Sequence, residues 1–211
     1  HENGQPYVNT EHLFNFSQKF IDTDFPHCIE MARAFVQPKY QSAAGGRKAL
    51  FALDNLWDGI GGLVATDPTV KYLSGKVTIY KTSPEMSRKA MVYYLDMSFG
   101  DREGLITSKN PETCTPEQES FFKEMFTGAD YKENYAILNN YVKSLGDTIP
   151  PFIHLYIGLS PTMKTFGTTF DPDFGDCYDT AMIITAKDIY EDKYKRYMES
   201  YERCKEYPRK G

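Results

Sequence analysis

The sequence predicts an α/β fold in which a mixed sheet is flanked by helices. Three observations carry this. Residues 28–36 (CIEMARAFV) and 72–80 (YLSGKVTIY) are β-rich and bounded by turn residues. A long apolar stripe at helical spacing separates them, and a second helical pattern follows. Near the carboxy end, residues 164–170 and 178–186 read as two more strands around the loop DPDFGDC.

The elements follow in order. Residues 1–26 are polar and aromatic, with Asn3-Gly4 as a turn signal and Leu13, Phe14 and Phe16 able to pack. They suggest a strand end and a loop with a helical turn. In the strand at 28–36, Ile29, Met31, Arg33 and Phe35 alternate with Glu30, Ala32, Ala34 and Val36, and Pro38 ends it. Gly45-Gly46 opens a helix along which Leu50, Leu53, Trp57, Ile60 and Val64 recur at three and four. Gly59, Gly61 and Gly62 interrupt it; each costs about 1 kcal/mol relative to Ala. Close packing against a sheet, or fraying near Asp67-Pro68, would account for them. After the second strand, Ser83-Pro84-Glu85 supplies an N-cap and a first-turn proline for a helix through Met86, Ala90, Tyr93, Tyr94 and Met97. A right-handed crossover makes the first two strands parallel neighbours. Residues 101–118 look like loop, and helices follow at about 117–127 and 131–145, stopped by Gly146. Phe152–Leu159 fits a short helix or a strand. A charged helix from Lys187 carries Tyr190, Tyr194, Tyr197 and Tyr201 as a packing stripe.

Composition narrows the function. With 211 residues, 41% hydrophobic and 25% charged, the chain can bury a real core. A net charge of -5 and no arginine-rich block argue against a nucleic-acid partner. The 16 Tyr and 14 Phe fit core and groove lining. Cys28, Cys114, Cys177 and Cys204 are scattered, with no CxxC pair, which fits reduced thiols in a cytoplasm rather than zinc or a disulfide scaffold. No run approaches the ~18 apolar residues of a membrane span. The chain starts at His1 rather than Met, as a piece of a longer or processed protein would.

Metal and hydrolase chemistry find little support. Asp171, Asp173 and Asp176 in FDPDFGD lack the EF-hand order and read as a hairpin loop. The DFG within it has no kinase context, the histidines are scattered, and no HExxH or GxSxG is present. No metal ligand is assigned.

One stretch does point to chemistry. At Gly45-Gly46-Arg47-Lys48 a helix start offers unpaired N–H groups and a positive dipole end, the glycines allow close approach, and two cations add charge. A pyrophosphate fits there, as does a turn with solvent-facing cations. Neither GxxxxGK[ST] nor GxGxxG is present.

The wider pattern resembles a known family. IEMARAFVQPKYQ before a Gly-rich helix start is similar to the core of the GCN5-related N-acetyltransferase superfamily. E-x-x-R-x-x-V-x-P-x-Y, then YLSGKVTIY, IPPFIHLYIGLSPTMKTFG and D-x-x-F-G resemble one branch of it: the hemolysin-like proteins and the ornithine-lipid and glycine-lipid N-acyltransferases. The likeness covers roughly residues 7–190. Acyl-homoserine-lactone synthases share the E-x-x-R strand more distantly.

The resemblance implies an N-acyltransferase. It would move a fatty acyl group from a thioester, on acyl carrier protein or coenzyme A, to the amino group of an amino acid, as a first step toward an aminolipid. No bound cofactor is implied, only the thioester co-substrate. A thioester is already activated, so the enzyme holds the carbonyl, orients the amine and removes a proton. Backbone N–H groups near Phe35 and Val36 would hold the carbonyl and pantetheine arm. Gln41, Ser42, Gly45, Gly46, Arg47 and Lys48 would take the phosphate end, or Arg47 and Lys48 would meet an acidic carrier protein. Glu30 would be the general base or bind the amine; a salt bridge to Arg33 that only orders the strand is the other reading. Tyr93, or Tyr94, would protonate the leaving thiolate, or pack in the core.

The resemblance also implies an organisation: a single acyltransferase-like domain with a donor-binding core at 1–103, a helical insert at 104–148 and carboxy-terminal strands and helix at 149–211. Ala44 stands where the family's loop has its first glycine. The amino-terminal strands of the complete fold have too little chain before Glu30, so a truncated module that binds thioester or carrier protein without turnover is an alternative, as is a homoserine-lactone-type synthase. Sheet edges left bare would favour a homodimer. A lipidic product would favour peripheral contact with the inner membrane.

Overall fold

The computed structural model describes residues 8–33, 37, 47–199 and 201. Four strands form the main sheet in the order β2 (Cys28–Met31), β3 (Tyr72–Ile79), β6 (Cys177–Thr185), β5 (Lys164–Asp171). β2 lies parallel to β3, with Glu30 opposite Ser74 and Met31 opposite Gly75. β3 and β5 both run antiparallel to β6, so the sheet is mixed. The helix between β2 and β3, α2 (Arg47–Thr66), completes the strand–helix–strand unit expected from the sequence and begins directly after Gly46. Before it come β1 (Phe14–Phe16) and α1 (Gln18–Thr23), the latter capped by the Ser17 hydroxyl.

α3 (Glu85–Phe99) follows β3. Its N-cap is Pro84, not the expected Ser83. The loop expected at 101–118 contains a strand, β4 (Ile106–Ser108), which pairs antiparallel with β1 as a separate two-stranded ribbon. α4 (Pro116–Met125) starts on a capping box between Thr115 and Gln118, and α5 (Tyr131–Ser144) on the Asp130 carboxylate. The undecided segment at 152–159 is a helix, α6 (Pro151–Ile157). α7 (Glu191–Tyr197) closes the fold.

β2 departs from expectation. Its strand stops at Met31, and Arg33 adopts φ 56, the left-handed region that bulky residues seldom enter. Ala34, Phe35 and Val36 lie outside the described residues.

Strand alternation sorts the sheet into two faces. Leu73, Val77, Ile79, Met182 and Ile184 join Trp57, Met91, Leu95, Ile153 and Tyr156 in the larger apolar cluster. Helices therefore cover this face. Ala181 and Ile183 face the other way, onto Leu13, Phe14, Phe20, Ile106 and Phe166 from the ribbon, α1 and β5. Of the α2 glycines, Gly61 packs against α7 rather than a sheet, where a Cβ would overlap the Tyr197 carbonyl oxygen, and Gly62 meets the Tyr201 ring, whereas Gly59 faces open space. The Tyr201 hydroxyl donates to Asp58 at 2.9 Å, so the tyrosine stripe is used in packing. Among the described residues, no helix is long and apolar enough to cross a membrane.

Candidate active site

β2 and β3 stay together for four residue pairs and then part. β3 runs on to Ile79, where among the described residues it pairs only with β6. Gly75 marks the parting point. A Cβ there would overlap the Tyr156 hydroxyl and lie 3.2 Å from the Met31 carbonyl oxygen, so only glycine admits the tyrosine. Tyr156, on α6, is buried and meets Trp57 of α2 edge to face at 5.7 Å. Burial pushes its phenol well above the usual tyrosine range, so it stays protonated. Its hydroxyl makes no hydrogen bond to a described residue.

Glu30 projects from the opposite face, beside Ser74. Its carboxylate accepts the Asn9 N–H at 2.7 Å and the Thr10 hydroxyl at 2.8 Å. Two such bonds use about half of a carboxylate's four acceptor positions and leave the rest free. The loop that supplies them is anchored: Lys109 donates from its backbone to the Leu13 carbonyl and from Nζ to the Glu11 carbonyl. Glu30, Thr10 and Ser74 border a cavity of about 280 Å³ between the sheet and the β1–β4 ribbon, whose other walls are mostly apolar, five phenylalanines among them.

The Glu30–Arg33 ion pair of the other reading does not form; Arg33 is exposed and has a left-handed backbone. Tyr93 lies apart from the cavity, 5.5 Å from the Phe122 ring and 5.9 Å from that of Phe126, between α3 and α4. Tyr94 is buried and donates to the Tyr131 carbonyl at 2.8 Å. Both sit where a packing role places them. Phe35, Val36, Gln41, Ser42, Gly45 and Gly46 lie outside the described residues, as do the side chains of Arg47 and Lys48, although the backbone of these two forms the first turn of α2. Sequence reasoning missed Tyr156 and Thr10. Tyr156 follows Ile153 by three residues, as any core position would, and Thr10 lies in a segment without period.

A second polar group lies on the Glu30 face, further along β3. The Lys76 ammonium is 2.5 Å from Asp179 and 3.5 Å from Asp171, both buried carboxylates. Thr78 donates to Asp179 at 2.6 Å, and His12 stands 3.7 Å from Asp171. Asp171, Cys177 and Asp179 are close enough together to suggest a metal site. The lysine already supplies the cation. Burial, then the neighbouring carboxylates, push the Cys177 thiol up to about 11, which keeps it protonated and a poor ligand. Asp171 instead caps the hairpin, accepting the Asp173 and Phe174 N–H groups. FDPDFGD is therefore the β5–β6 turn, as its sequence suggests.

The chain is 42% identical over 200 residues to a glycine N(alpha)-acyltransferase of Phocaeicola vulgatus, covering 95% of this chain and 61% of that protein. It is 42% identical, again over 200 residues, to a protein of the same name from Bacteroides thetaiotaomicron, covering 59% of the relative. The chain thus spans about three-fifths of the length of the curated relatives it matches. No family model matches, and no solved structure matches.

Proposed function

We propose that this chain carries the reaction centre of an N-acyltransferase that moves a fatty acyl group from a thioester to the amino group of glycine. The observation that carries this reading is the parting of β2 and β3, with the Glu30 carboxylate on one face and the Tyr156 hydroxyl on the other. The name shared by the two relatives supports glycine as acceptor. The fold read from the E-x-x-R strand, a GCN5-related core of the aminolipid branch, belongs to the same proposal.

The chemistry follows from the geometry. The donor's carbonyl sits at the gap and its pantetheine arm runs along β3 beyond Gly75, with the backbone N–H groups of Phe35 and Val36 as its proposed partners. Its phosphates, or an acidic carrier protein, meet Gln41, Ser42, Gly45, Gly46, Arg47 and Lys48 at the start of α2. The glycine ammonium is drawn to Glu30 and gives up one proton to solvent; the free amine nitrogen then bonds to the carbonyl carbon as Glu30 accepts its second proton. The C–S bond then breaks, and the leaving sulfur takes the Tyr156 proton, which the proton held on Glu30 replaces through solvent. Thioester and amine become amide and thiol. Tyr156 takes the role that sequence resemblance gave to Tyr93, because it is the tyrosine at the gap. The amphiphilic product makes contact with a membrane surface part of this reading.

Thiol release tests it, with a long-chain donor on coenzyme A or carrier protein and a panel of amino acids. Glycine-dependent release is expected. Glu30→Gln should lower it by about 100-fold or more, and Tyr156→Phe by about 10- to 100-fold, both with donor binding retained. Donor binding without release in the native chain would replace the enzyme reading with a binding module. Unchanged turnover in either variant would remove that residue from the mechanism.

A further inference from the structure

The cavity beside Glu30 has its polar groups together at one end. Glu30 and the Thr10 hydroxyl bonded to it stand there, with Ser74, whose hydroxyl donates to the Ile29 carbonyl at 3.4 Å, directly across the strand pair. Two residues back along β2, about 7 Å at the usual strand rise, the lining changes to Cys28, and beyond it to Phe25. There the Phe16 and Phe20 rings stack at 5.7 Å, and Phe20 meets Phe25 at 6.4 Å. Ala181 supplies a small floor from β6. At about 280 Å³ the space is many times the volume of one water, and an apolar space of this kind favours hydrocarbon over water.

We propose that this cavity holds the donor's acyl chain, with the carbonyl end at Glu30 and the methyl end among Phe16, Phe20 and Phe25. The chain then runs back along β2, against the strand direction. Its orientation rests on the acyltransferase reading; the cavity's preference for a linear hydrocarbon does not. A glycine acceptor has no use for an aromatic cavity, so the acyl group is the substrate part that matches it.

Neutral S-acyl-N-acetylcysteamine thioesters of 4 to 14 carbons, titrated calorimetrically into the chain without amine, test the proposal. Affinity should rise about fourfold per methylene until the cavity fills, and then level off. Ala181→Phe should bring the plateau to a shorter chain. A thioester with a diazirine at its methyl end should label the peptide spanning Phe16 to Cys28. Affinity independent of chain length would overturn the proposal, as would labelling at Tyr135 and His154, which border a separate groove where α5 meets α6, or an unmoved plateau in an Ala181→Phe variant with native circular dichroism. If that variant fails to fold, the native titration and the label still decide. Length-dependent binding without glycine-dependent thiol release leaves this inference standing and removes the enzyme reading; release without length dependence does the reverse.

Discussion

The two faces of the main sheet are made from alternate residues of the same strands, and they differ in almost every physical respect. On one, Leu73, Val77, Ile79 and Ile184 are sealed under helices. On the other, Glu30, Ser74, Lys76, Thr78 and Asp179 share the surface with a void and a thin two-stranded cover. The first face lowers free energy by removing apolar area from water. The second gives up part of that gain, since voids and buried charges both cost stability. What the second face gains is a carboxylate with open acceptor positions next to hydrocarbon-lined space. The contrast separates residues that hold the fold from residues that act on a ligand.

Lys76→Met gives the largest expected effect. It leaves Asp171 and Asp179 buried with no ammonium between them, and removing one partner of a buried ion pair costs about 3–5 kcal/mol. Urea unfolding at neutral pH measures it. The pH dependence adds a sign. Burial pushes the Asp171 carboxyl up, but the Lys76 charge, the Asp173 N–H and the Lys76 hydrogen bond outweigh it and hold it below its ordinary 3.8. A depressed carboxyl contributes stability above its unfolded pKa and loses it as pH falls through the folded value. The native protein should therefore lose stability below about pH 4. In the variant, burial dominates and the folded pKa rises above the unfolded one, so acidification through that raised value should recover stability. Parallel pH profiles would show that the lysine is not what neutralises the pair.

Ile184→Ala, on the sealed face, comes next. It should cost about 2–4 kcal/mol through lost burial and a residual cavity. Thiol release per folded molecule, measured well below the melting temperature, should stay within about twofold of the native rate. A much larger loss would mean that the sealed face also shapes the reaction centre, and the division between faces would fail.

How much of this was legible in sequence follows the range of the interactions. The β2–α2–β3 unit, α3, α4, α5 and the β5–β6 hairpin rest on local period, caps and turns, and each appears close to where the pattern places it, except that β2 stops at Met31. The β1–β4 ribbon does not, because two three-residue strands carry no period and the pairing of Phe14 with Ser108 is long-range. Glu30 stood out because a carboxylate within an apolar alternation is conspicuous. Tyr156 could not stand out: it becomes special only because Gly75, far earlier in the chain, lacks a Cβ. The E-x-x-R spacing leaves an ion pair open, yet a strand places positions three apart on opposite faces, and β2 ends before Arg33, which has a left-handed backbone.

Thr10→Val is the smallest change and the sharpest probe of the functional face. Valine keeps the shape but removes the hydroxyl that donates to Glu30 at 2.8 Å, while the Asn9 N–H remains. Thr10 is half-buried in a loop secured independently by Lys109, so the fold should survive, with unfolding free energy lowered by no more than about 3 kcal/mol. Hydrogen bonds to charged groups are worth about 1.5–3 kcal/mol, so a misdirected carboxylate should slow acyl transfer about tenfold or more. The fall should appear in kcat with glycine, with donor affinity unchanged, because Thr10 orients Glu30 and has no place in the phosphate end of the donor site. Thr10→Ser restores the hydroxyl and should recover most of the rate. If serine rescues nothing, or if the loss lies wholly in donor affinity, the hydroxyl serves packing alone and Glu30 is held by the Asn9 N–H and the strand.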